Sequence, residues 1–234
     1  MIQVEICTPS RTSAEAARRG GAQRIELCRD LACGGLTPTD EDIEYCVHTL
    51  GLRTHVLVRP RPGNFYYTAD EVDAMLATIE QCRRLGAAAV VVGFLDYEGR
   101  VDTALTRRAV EAADGMEVTF HRAFDEAHQD PLEALEAIID CGCHRLLTSG
   151  QAPTALAGAD VIGRLVRHAE RLTAGAGRFR ILAGSGVTPA NARELVERTG
   201  VAEVHGSCKT TLADGTVQTS EAAVRQLMAL AATL

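Results

Sequence analysis

Apolar and polar residues alternate in a short phrase that occurs twice near the start of the chain, Val4-Glu5-Ile6-Cys7 and Ile25-Glu26-Leu27-Cys28. A strand sends successive side chains to opposite faces. Each phrase therefore puts an acid and a thiol on one face and two aliphatic residues on the other. Paired as parallel neighbours in register, the two would set Cys7 beside Cys28, above Glu5 beside Glu26. A polar inner face with an apolar outer face suits a closed barrel wrapped in helices.

The alternation continues down the chain. Strands are predicted at 2–7, 24–28, 54–59, 88–93, 117–121, 144–148, 179–183 and 202–205. Helical segments fall between them. The first covers 12–19 and stops at Gly20-Gly21; the second covers 40–50. The third runs from Thr68 to Gly86, with Thr68 and Glu71 spaced as a capping box. Asp102 caps the fourth, and Asp130-Pro131 opens the fifth with an acid at the cap and proline in the first turn. A sixth covers 159–173, Thr188-Pro189 opens a seventh, and the last starts at Ser220. Eight βα units in 234 residues predict one (β/α)₈ TIM-type barrel spanning 1–234 as a single domain. A doubly wound open sheet is the alternative, but strands buried on both faces read as continuous apolar runs. Here Glu5, Glu26, Arg59, Thr119, His121, Glu203 and His205 interrupt the strands, and only 88–93 is apolar throughout.

Composition narrows the partners. A net charge of −7 disfavours nucleic acid. No apolar run approaches the roughly 18 residues of a membrane span. A chain that opens on a strand, with no basic segment leading into an apolar one, is expected to be unprocessed and cytoplasmic. Eight cysteines in such a chain predict free thiols rather than disulfides. Cys46 and Cys82 lie on helical patterns and are expected in the core. The Cys141-Gly142-Cys143 pair is a soft-metal motif of low specificity.

The working site of such a barrel lies at the C-terminal ends of its strands. Those ends carry Cys7, Cys28, Arg59 with Arg61, Gly93, His121 with Arg122 and Asp125, Thr148-Ser149, Gly184-Ser185-Gly186, and His205-Gly206-Ser207 with Lys209 beyond. Two adjacent thiols offer a two-coordinate seat for monovalent copper; they could equally be small buried residues. Glu5 and Glu26, one layer deeper, need counter-charges, for which Arg59 and His121 are the expected partners. Arg59, Arg61, Ser185, Gly186 and Ser207 form a candidate anion site, since glycines let backbone N–H groups approach an anion. His121 or His205 could move a proton, with Glu26 or Asp125 orienting it.

These strand ends resemble those of the copper homeostasis protein CutC family. The resemblance rests on Val4–Cys7, Gly20 through Cys28, Gly34–Pro38, Val58–Arg61, Val118–Asp125, Arg145–Gly150, Gly184–Thr188 and Glu203–Ser207. It implies a TIM-type barrel, a cytoplasmic homo-oligomer (dimer or tetramer), and Cu(I) held by Cys7 and Cys28. The chain departs from the family pattern at Asn64, where an acid is usual, and carries extra thiols at Cys33 and Cys208. Two functions are thus expected: copper handling through strand-end cysteines, or an isomerase, aldolase or lyase acting on a small phosphorylated or anionic substrate. Neither implies an organic cofactor. A Schiff-base mechanism has little support, because no lysine lies within a predicted strand.

Overall fold

The computed structural model describes residues 2–174, 179–212 and 215–234. Eight parallel strands close into a barrel in sequence order: β1 (Gln3–Thr8), β2 (Arg24–Leu27), β3 (Arg53–Leu57), β4 (Ala89–Val92), β5 (Glu117–Phe120), β6 (Arg145–Thr148), β7 (Arg180–Ala183) and β8 (Glu203–Gly206). Closure is made by β1, which pairs with β2 on one side and with β8 on the other.

Helices α1 (Arg11–Arg19), α2 (Asp40–Glu44), α3 (Ala69–Arg84), α4 (Thr103–Ala113), α5 (Pro131–Asp140), α6 (Ala159–Leu172), α7 (Ala192–Thr199) and α8 (Glu221–Ala231) connect the strands and close the chain. Their starts carry the side chains the sequence marks. Ser10 and Ser220 cap α1 and α8, Asp130 caps α5 with Pro131 behind it, and Thr68 and Glu71 complete the capping box of α3.

Three segments differ from expectation. The predicted helix 40–50 is α-helical only to Glu44; it then widens, with Leu50 N–H donating to the Tyr45 carbonyl. The helix after β7 starts at Ala192, because Asn191 Oδ1 accepts from Thr188 N–H and holds Thr188-Pro189 in a preceding turn. A hairpin of β9 (Lys209–Thr211) and β10 (Val217–Thr219) follows β8; its mostly exposed, polar strands leave no apolar alternation to detect.

The main apolar core lies between sheet and helices. Ile6, Ile25, Leu27, Val56, Val90, Val118, Phe120, Leu146 and Val204 point outward from the strands and are fully buried there. The barrel interior carries the charged side chains, with a small apolar cluster of Cys7, Cys28, Leu57 and Val91 near the C-terminal end. Burying so many charges inside is costly unless each is paired. Below that cluster, Arg24 bonds Glu203 at 2.7 Å and Arg145 bonds Glu203 at 2.8 Å, while Glu117 accepts from Arg145 and Arg53.

Candidate functional site

The two repeated phrases lie side by side, but not in the register that pairs like with like. Cys7 stands opposite Glu26, and Glu5 opposite Arg24. A closed barrel requires strands to stagger, and the two-residue offset is that stagger. The sulfurs nevertheless meet: Cys7 Sγ and Cys28 Sγ are 3.8 Å apart, both buried. Gly35 makes room for the second thiol. A Cβ there would lie 2.8 Å from Leu57 Cδ2 and 3.5 Å from Cys28 Sγ, and its φ of +90° independently favours glycine.

The offset brings a different set of groups to the first sulfur. Cys7 Sγ, a Glu26 carboxylate oxygen and a His205 ring nitrogen lie within 4.8 Å of one another. Beneath them Glu5, 1% exposed, is the hub. Its carboxylate is 2.7 Å from His55 Nδ1, 3.0 Å from His205 Nδ1 and 3.0 Å from Arg24 Nε. Arg59 and His121 are not the counter-charges of Glu5 and Glu26; Arg24 and His205 are, with His55 as a further polar partner of Glu5. These residues share strand parity with recognised ones, Arg24 with Glu26 and His55 with Arg59, so the alternation marks them as inward-facing. Arg145 on β6 is a third inward polar residue of this kind.

Electrostatics sort the protons. Burial would raise the Glu5 pKa, but His55, His205 and Arg24 outweigh it and hold the carboxyl well below its usual range. Burial opposes charge on His205, yet Glu26, Cys7 and Glu5 together keep the imidazole protonated, with its pKa well above the ordinary value. Burial lowers His55 and leaves it neutral. Burial, reinforced by Glu5, raises Glu26. The hydrogen bond to Cys28, burial and the nearby carboxylate push the Cys7 thiol well up, so it carries its proton at neutral pH.

Above the sulfurs opens a cavity of about 1020 Å³, with Cys7, Glu26 and His205 on its wall beside Arg59, His121, Asp125, Ser185, Gly186, Ser207 and Lys209. The wall residues differ in how free they are. Asp125 is occupied: it accepts from Thr148 Oγ1, from the backbone N–H groups of Ser149 and Gln151, from Ser149 Oγ and from Arg122. It stitches the loops after β5 and β6 together, and none of these partners is His121 or His205, the two rings it is expected to orient. Ser185, at φ +82°, donates its hydroxyl to the Pro153 carbonyl. Arg61 is absent from the wall; its guanidinium is taken by Glu71 and the carbonyls of Asn64 and Tyr66.

His121 fits against β4 because residue 93 is glycine: a Cβ there would lie 2.3 Å from His121 Nδ1, 2.4 Å from its Cε1 and 2.9 Å from Ala123 Cβ. Its Nδ1 accepts from Ala123 N–H at 3.1 Å. Burial, with Arg59 and Arg122 nearby, lowers its pKa to about 3, so the ring is neutral. The single ring proton then sits on Nε2.

The remaining thiols separate into two groups. Cys33, exposed, and Cys208, which burial pushes up to about 11, are both on the cavity wall. Cys46 and Cys82 are fully buried among aliphatic side chains and pushed up to about 12 by burial, as expected of core residues. Cys141 and Cys143 are buried without forming a metal-sized cluster among the described residues.

Fold and site define an eight-stranded βα barrel with paired thiols and a histidine–carboxylate cluster under its C-terminal mouth. The chain belongs to the CutC family, whose family model matches residues 2–210. It is 44% identical over 208 residues to the family protein CutC of Glaesserella parasuis serovar 5 (strain SH0165), covering 89% of this chain and 83% of that one. The crystal structure of a CutC from Streptococcus agalactiae superposes with a TM-score of 0.81 at 30% identity, covering 88% of this chain and 99% of the other. Phosphoribosylanthranilate isomerase from Thermotoga maritima, at 13% identity and a TM-score of 0.64 with both chains fully covered, shares the fold. No helix among the described residues is long and apolar enough to cross a membrane.

Proposed function

We propose that this protein handles copper, taking Cu(I) as cargo between Cys7 and Cys28. The observation that carries this reading is the pair of sulfurs 3.8 Å apart at the base of an open cavity. Soft thiolates favour Cu(I) over harder ions. The copper-homeostasis designation of the Streptococcus agalactiae relative supports it.

The spacing also refines the coordination. A thiolate lies about 2.3 Å from a d¹⁰ ion. Two sulfurs 3.8 Å apart therefore subtend about 110° at such an ion, well short of the straight angle of two-coordination. A bent pair needs a third donor, and His205 or Glu26 is beside Cys7 to supply it. The expected site is three-coordinate, not the two-coordinate seat that the thiols alone imply.

The test is anaerobic Cu(I) titration of the reduced protein against a chromophoric chelator. One tight Cu(I) per chain is expected, with affinity falling at least about 100-fold in Cys7→Ser and in Cys28→Ser, as second-shell losses alone already cost 10–100-fold. Wild-type stoichiometry and affinity in both variants would overturn the reading.

A further inference from the structure

The cavity over the thiols is far larger than a metal ion requires, and one charge on its wall is unbalanced. Arg59 is 6% exposed. Its side-chain hydrogen bonds run to backbone carbonyls: Nη1 donates to Cys33 and Gly35, and Nη2 to Gly63. Among the described residues it makes no ion pair. The carboxylates on the same wall have other partners: Glu26 faces His205, and Asp125 is held by Arg122 and the β6 loop. Glu126 lies at the exposed rim. The buried Tyr67 hydroxyl lies within hydrogen-bonding reach of the Arg59 guanidinium, but it brings no counter-charge: burial pushes its pKa up to about 12 and keeps it neutral. A guanidinium has five N–H donors, and three are used. The Nε–H is buried with no hydrogen-bond partner.

A second orphan stands beside it. His121 Nε2, which carries the ring proton, is buried with no partner. Both groups border Phe65, whose ring centre is 5.0 Å from the Arg59 guanidinium carbon and 4.9 Å from the His121 ring centre. A buried charge without a counter-charge, next to a buried N–H without an acceptor, is costly in a folded protein. Both deficits are of one kind: each lacks an anionic or strongly accepting oxygen.

We propose that the cavity binds a small organic anion, with its charged oxygens against Arg59 and an oxygen of the same group or the next atom accepting from His121 Nε2–H. The neutral imidazole serves as a donor whose strength does not depend on pH near neutrality. The volume, about 1020 Å³, is in the range of sites that enclose small molecules. Carboxylate and phosphate share the recognition chemistry. The free donors of Arg59 suit a planar carboxylate, whereas Lys209 and the Ser185-Gly186 turn on the cavity wall would add grip for a phosphate. The inference does not rest on copper, and its failure would leave that reading standing.

The test is calorimetric titration of metal-free protein, with a chelator present, using glycolate, pyruvate, phosphoglycolate and inorganic phosphate as probes and ethylene glycol as the neutral control. At least one anion is expected to bind with a Kd below about 1 mM. Glycolate or pyruvate binding without phosphate identifies the carboxylate, and the reverse identifies the phosphoryl group. Arg59→Gln should weaken binding at least tenfold, as should His121→Phe. Where either variant does not fold, the His121 Nε2–H resonance of the wild-type protein is followed instead, and it should shift on titration. No binding of any anion at about 10 mM, equal binding by folded Arg59→Gln, or an unmoved His121 resonance would each overturn the proposal.

Discussion

Glu5 on the first strand and His205 on the last face each other at 3.0 Å across the seam that closes the barrel. Glu5 also takes His55 and Arg24, so one carboxylate fastens three other strands to its own. Replacing it with glutamine keeps the shape but leaves a buried arginine and a buried imidazolium without their common partner. Glu5→Gln is expected to destabilise the fold by about 3–5 kcal/mol, measured by urea unfolding at pH 7. The folded-state pKa of Glu5 is depressed, so its contribution is complete above the ordinary value of 4.5 and is lost as pH falls through the folded value. The gap between wild type and Glu5→Gln should therefore narrow in acid. A gap that holds constant down to pH 3 would show that the carboxylate is not the hub.

Gly93 gives His121 its place. In Gly93→Ala the new Cβ meets the imidazole and Ala123 Cβ, so the His121 ring must leave its place. A loss of about 1–3 kcal/mol is expected, together with displacement of the His121 ring resonances. Unchanged stability and an unchanged histidine spectrum would contradict the packing described for this pair.

His121 also leaves a mark on the pH dependence of stability. Its folded pKa is about 3 against an ordinary 6.5. Between those values the unfolded chain takes up a proton that the folded protein refuses, so stability falls as pH is lowered. Between pH 6.5 and 5, above the range of most carboxyl groups, this residue should contribute up to about 1.4 kcal/mol per pH unit. His121→Phe is expected to lose that part of the slope in urea midpoints taken across the window. An identical slope in both proteins would mean that the ring is charged in the fold.

Much of this arrangement was legible before any coordinates. Regular alternation of strand and helix marks the barrel, and period-two polarity marks Glu5, Glu26, His121 and His205 as inward-facing. Register was not legible. Shear is a property of closure, so Cys7 lands opposite Glu26, a displacement no local pattern records. Partnerships across closure were equally hidden: Glu5 and His205 are 200 positions apart, and Arg24 and Glu203 are 179 apart. Arg59 and Arg61, two residues apart and alike in type, part ways because Glu71 of the capping box claims the second. A strand end alone cannot foretell that competition.

On the proposed reading, copper binding displaces protons. Cys7 is a thiol at neutral pH, and His205 is protonated between Glu5 and Glu26. A thiolate, and an imidazole if it joins, is freed only by proton release. Apparent Cu(I) affinity should fall by at least about tenfold per unit decrease in pH, after correction for protonation of the competing chelator. Affinity that is flat between pH 6 and 8 would contradict a site built on Cys7.

The coordination itself is most directly read by copper K-edge X-ray absorption of the Cu(I)-loaded protein, with Cys28→Ser as the comparison. Two sulfur neighbours at about 2.3 Å with one lighter atom is the expected first shell, and one sulfur should vanish in the variant. A wild-type shell without sulfur, or a Cys28→Ser spectrum that superposes on it, would contradict capture of the ion between the two thiols.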